Sequence, residues 1–134
     1  MHGLNDTVTI WNRLVENGKT KYFRHIVHGC YWRAKALRGI SGSDVSLASV
    51  LQVMIGIQDE YKPLSEWLAL TDKSAFFTFN VGDIIARGER TEEMTATTAT
   101  SIYSALKPDV FTIKAVTDNT QPWKYGQHIM VEGA

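Results

Sequence analysis

Three side chains able to bind metals or move protons fall close together, His25, His28 and Cys30, in the pattern H-x-x-H-x-C. Imidazole nitrogen and thiolate sulfur are ordinary zinc ligands, and a thiolate beside an imidazole is a nucleophile. Strand geometry opposes both uses. Successive side chains on a strand alternate faces, so His25 falls opposite His28 and Cys30 unless the chain bends at Gly29. A nucleophile built from Cys30 with His28 or His128 also needs a lowered thiol pKa and a third orienting group, which no spacing here supplies. The expectation is one interior and one surface imidazole, with no metal, no cofactor and no catalytic residue. Asp83, in Val81-Gly82-Asp83-Ile84-Ile85, reads as a turn residue that bonds nearby backbone amides rather than as a catalytic carboxylate. The glycine-rich stretch 39–43 lacks the Gly-Lys-Ser/Thr ending of a phosphate loop and does not open a helix after a strand. The four tryptophans, Trp11, Trp32, Trp67 and Trp123, with five tyrosines and five phenylalanines, read as core or subunit-contact residues.

Composition narrows the classes further. A chain of 134 residues sits in the single-domain range and buries roughly two-thirds of its unfolded surface without staples. One cysteine excludes an intramolecular disulfide framework and any zinc site made of several thiolates. No apolar run approaches the ~20 residues of a membrane helix, and the start does not read as a signal peptide, so a soluble protein made in the cytoplasm is expected, with no membrane partner. Fourteen basic residues balance fourteen acidic ones, against the footprint of a general nucleic-acid binder. The balance is uneven along the chain. Residues 1–38 hold seven bases and two acids, a net +5, while Asp44 to Glu93 hold nine acids and four bases. Such polarity favours head-to-tail contact between copies, although it also arises when charges merely solvate hairpins.

The elements that would position these residues are mostly strands. Thr7 to Trp11 alternates as a strand, and Asn17-Gly18 marks a tight hairpin into a second strand from about Lys21, with a bulge at Gly29. Residues 36–46 lose periodicity and gather Gly39, Ser41, Gly42 and Ser43, predicting a long mobile loop that meets a partner. Leu47 to Ile57 reads as a buried strand. Ser65 is a possible cap for one helical turn anchored by Trp67. Phe76 to Phe79 and Ile84 to Glu89 read as strands, residues 95–106 as the main helix, stopped at Lys107-Pro108, and Val110 to Val116 as a strand before a turn at Asp118-Asn119. A strand from His128 to Glu132 closes the chain. The predicted fold is mainly β, one domain over residues 1–134: a small antiparallel barrel or sandwich with one helix and one long loop.

Leu4-Asn5-Asp6-Thr7-Val8-Thr9-Ile10-Trp11-Asn12, then Gly29-Cys30-Tyr31-Trp32, Pro63-Leu64-Ser65-Glu66-Trp67 and Gly82-Asp83-Ile84-Ile85-Ala86-Arg87-Gly88-Glu89 follow a recognisable order. With Pro108-Asp109-Val110-Phe111-Thr112-Ile113-Lys114 and the ending from Trp123 through Gly126-Gln127-His128 to Gly133, the chain resembles small head-to-tail joining proteins of tailed bacteriophages and prophages of Gram-positive bacteria. That resemblance implies a virion structural protein, not an enzyme. It would be a head-completion or stopper subunit forming a twelvefold ring between the portal or adaptor and the tail terminator or tail tube. A tail terminator or adaptor of the same neck is the alternative, and a small-ligand-binding β-barrel or Cys/His enzyme is the alternative from another class. On this reading Arg33, Lys35 and Arg38 face DNA phosphates or a neighbouring subunit. Gly39, Ile40, Ser41, Gly42, Ser43 and Asp44 then form a gate or assembly contact.

Overall fold

Asn17 and Gly18 adopt positive φ, +53° and +74°, the backbone that a two-residue hairpin turn demands, and this turn joins strand β1 (Asp6–Glu16) to strand β2 (Lys19–Ser41). The structure is a computed structural model that describes residues 6–41, 44–56, 60–73, 75–119 and 128–133. Strand β3 (Asp44–Gly56), helix α1 (Leu64–Leu68), strand β4 (Ile84–Arg87), helix α2 (Ala99–Leu106) and strands β5 (Val110–Asn119) and β6 (His128–Gly133) follow. All strand neighbours are antiparallel, and the ring β1-β2-β3-β6-β5-β4 closes when Val8 to Trp11 of β1 pair with Ile84 to Arg87 of β4. The barrel expected from the sequence is therefore present.

Six strands enclose less space than the eight whose interior side chains just fill. Val8, Ile10, Val27, Trp32, Val53, Ile85, Phe111 and Val131 occupy that interior together with Cys30. Phe77 and Phe79, edge-on to each other and with Tyr61 stacked on Phe79, pack into the same cluster from the connection after α1. This corrects the expected strand at Phe76 to Phe79. Where the six strands pair around the barrel no edge is free, so among the described residues the segment makes only an isolated parallel bridge, Tyr61 with Phe77, and contributes its rings instead. Trp67 anchors α1 as expected, 1 % exposed and edge-on to Phe23. The cap position of α1 is Pro63 rather than Ser65, and no side chain caps the helix.

Five consecutive β1 residues, Val8 to Asn12, are buried, because both faces of this strand are covered. Val8 and Ile10 enter the barrel. On the outer face Thr9 Oγ1 donates to the carbonyl of Gly88 and accepts from the amide of Arg90, while Trp11 Nε1 donates to the carbonyl of Glu92. A second apolar cluster forms there, with Trp11, Ile84, Ala86, Met94 and Val110 packed under Ile102, Tyr103 and Leu106 of α2. The helix is shorter than the expected 95–106. Thr95 and Thr98 exchange hydroxyl and backbone hydrogen bonds in a turn that precedes it, the local competition by which threonine delays helix formation.

The largest correction concerns residues 36–46. Instead of a loop, Ala36 to Ser41 continue β2 and Asp44 to Ser46 begin β3, paired without a break from Cys30↔Ile55 to Ser41↔Asp44. Gly42 and Ser43, two residues between the last paired positions, lie outside the described residues. The glycine and serine cluster has weak strand propensity, but Gly39 and Ser41 sit in an unbroken register opposite Ser46 and Asp44, and that long-range pairing overrides it. Asp118 and Asn119, expected as a turn, pair with Ile129 and His128 and extend β5. Residues 1–5, Ile57 and the segment holding Trp123, Gly126 and Gln127 lie outside the described residues.

Candidate assembly interface

The bulge at Gly29 decides what the histidine and cysteine group can do. Cys30 pairs with Asp6 and His28 with Thr7, so Gly29, at φ +74°, is the extra residue and the side-chain alternation resets across it. The foreseen bend has thus intervened. His25 packs its ring on Phe77 at 4.9 Å and Cys30 joins the barrel interior, whereas His28 Nδ1 lies 3.0 Å from Thr7 Oγ1 at the exposed surface. Burial, with the nearby Asp6 charge, pushes the Cys30 thiol up to about 12, the opposite of nucleophile activation. No group of three or more His, Cys, Asp or Glu side chains could hold a metal among the described residues.

Asp83 behaves as the sequence predicts. Its Oδ1 accepts from the amide of Arg13, and its Oδ2 accepts from the amide of Asn80 and from Asn12 Nδ2. Asn12 Nδ2 also donates to the carbonyl of Thr78, tying β1 to the turn before β4. Burial raises the Asp83 carboxyl to about 6 in spite of these donors and the Arg13 charge. Within the barrel it is a clamp.

What stands apart from the packed barrel is the β2–β3 ribbon. β3 gains its other neighbour only from Leu51, which pairs with Gly133, and β1 leaves β2 at the Asp6↔Cys30 pair. From Ala34 to Val50, therefore, two strands pair only with each other among the described residues. Eight residues on β2, Ala34 to Ser41, span about 26 Å at ~3.3 Å per residue. A two-stranded ribbon of this kind is marginal in water, and among the described residues nothing pairs with its outer edges, where a strand can add.

The three bases singled out from the sequence all fall on this ribbon or at its root. Arg33 is exposed, and its Nε donates to Gln52 Oε1 at 2.6 Å; Gln52 Nε2 in turn donates to Glu132 Oε2 at 2.8 Å. Arg33, Gln52 and Glu132 are cross-strand partners on β2, β3 and β6, a polar relay where the ribbon leaves the barrel. Lys35 is the register partner of Val50, and Arg38 of Leu47. Of the expected gate residues, Gly39, Ile40 and Ser41 pair with Ser46, Val45 and Asp44. The Arg33 relay was not foreseen. Its only sequence signal is a polar residue at each of three strand positions that register alone brings side by side.

No helix among the described residues is long and apolar enough to cross a membrane. No curated protein and no solved structure matches the chain. A family model described as a family of unknown function, DUF6751, matches residues 3–134, and the chain belongs to that family.

Proposed function

We propose that the protein is a structural subunit of the phage neck, a head-completion or stopper-like protein that forms a ring between the portal or adaptor and the tail and helps retain packaged DNA. The ribbon from Ala34 to Val50, whose two strands pair only with each other among the described residues, carries this reading. The barrel interior is filled by side chains, so the fold's distinctive surface is an edge that another chain completes by strand addition. One such heterologous contact, repeated about an axis, closes a ring. The net +5 of residues 1–38 against the acidic stretch that follows supports contact between unlike faces of neighbouring copies. Arg33, Lys35 and Arg38 along one strand suit phosphate contacts that carry no base specificity. The subunit would reside in the virion neck.

The test compares the full chain with a variant in which residues 36–49 are replaced by Asn-Gly, joining the register partners Lys35 and Val50 through a two-residue turn. Electron microscopy and mass photometry should find closed rings for the full chain and folded monomers for the shortened one. The reading fails if the full chain stays monomeric at every concentration, or if particles made without the protein keep their genome and join tails normally.

A further inference from the structure

A groove of about 460 Å³ runs between α2 and the outer wall of the barrel. Two cations line it, Arg13 from β1 and Lys107 just beyond α2, together with Tyr22, Tyr103, Ile84 and Ala99. The rest of the lining supplies hydroxyls and a glycine, and no carboxylate. Lys107 Nζ sits over the Tyr103 ring, 5.3 Å from its centre, which holds the ammonium at the groove rim. Gly82, at φ +101°, leaves room for the Arg13 guanidinium; a Cβ at that position would come within 3.2 Å of Arg13 Nη1. Among the described residues the ion pairs are Arg24 with Glu93 and Arg90 with Glu92, and neither groove cation takes part in one. The carboxylate nearest in effect to Arg13, that of Asp83, is buried and already accepts from three donors.

We propose that this groove binds an acidic peptide segment of a partner protein, with carboxylates on Arg13 and Lys107 and an apolar side chain between Tyr22 and Tyr103. The charge complementarity is one-sided, since two exposed cations, neither in an ion pair among the described residues, face a lining without a carboxylate and so favour an anion. The apolar and aromatic part of the lining selects an occupant that alternates apolar and charged groups, as an extended peptide does and a duplex phosphate ridge does not. The chain's own acidic stretch is a poor occupant, because Glu92 and Glu93 are already paired. This inference goes beyond the neck reading and stands or falls separately from it, since none of the groove residues lies between Ala34 and Val50 and binding is read on the isolated full chain.

The experiment is fluorescence anisotropy of the full chain with a fluorescein-labelled peptide of about ten residues, alternating glutamate with leucine and phenylalanine. The double variant Arg13→Gln with Lys107→Gln should weaken binding about tenfold or more at low salt, as should a glutamine version of the peptide. A control removing two other exposed charges, Lys19→Gln with Lys114→Gln, should leave affinity unchanged. The proposal is overturned if the groove variant binds as the parent does, or if the control loses as much. Failure of the peptide to bind, or tighter binding of a single-stranded oligonucleotide at the same groove residues, also overturns it.

Discussion

Replacing Asp83 by asparagine separates two opposing effects that meet at one buried carboxylate. Three donors favour the ionised form, and burial opposes it; burial wins and the folded-state pKa rises from 3.8 to about 6. The folded protein therefore holds this proton over a pH range in which the unfolded chain has released it, so stability is greatest at low pH and declines as pH rises through the folded value. Taking 3.8 for the unfolded chain, linkage gives a decline of about 2 kcal/mol between pH 4.5 and 7.5. Every other titrating group cancels when the parent is compared with Asp83→Asn at each pH. Urea unfolding followed by tryptophan fluorescence should show the parent's advantage over the variant shrinking by about that amount across the interval. An advantage that grows with pH would mean that the three donors outweigh burial, and a flat difference would mean that the carboxyl is not held away from water. Either result refutes the account of this site.

Three further outcomes test the packing. Gly133→Ala would drive its Cβ into the Thr112 carbonyl and the Phe111 ring where β6 meets β5, and should destabilise by about 1–3 kcal/mol in urea unfolding. Trp67→Ala removes a side chain that is 1 % exposed and edge-packed on Phe23, at about 3–5 kcal/mol by the same measurement. The Cys30 thiol, buried and held near 12, should resist a thiol-specific disulfide reagent at pH 8 and react fully in guanidinium. Rapid labelling of the native protein would contradict its place in the barrel.

Much of the candidate interface was legible only in part. Arg33, Lys35 and Arg38 stand out as a basic run, yet their placement on a paired ribbon depends on register over Cys30 to Ser41, which the serine and glycine content concealed. The joining of Arg33 to Gln52 and Glu132 across three strands is a consequence of long-range pairing and leaves no local trace. The groove behind α2 was equally hidden, because Arg13 and Lys107 are distant in sequence and meet only when the helix packs on the barrel.

Local chemistry by itself determined the β class, the Asn17-Gly18 hairpin, the bulge at Gly29, the turn role of Asp83 and the stop of α2 at Lys107-Pro108, because each rests on backbone preference or on hydrogen bonds between near neighbours. Tertiary structure alone decided that the sheet closes between β1 and β4, that Phe76 to Phe79 contributes rings instead of a strand, and that residues 36–41 and 44–46 pair as a ribbon. Those outcomes depend on which edges remain open once the other strands have paired, a property of the assembled sheet that no window of the chain contains.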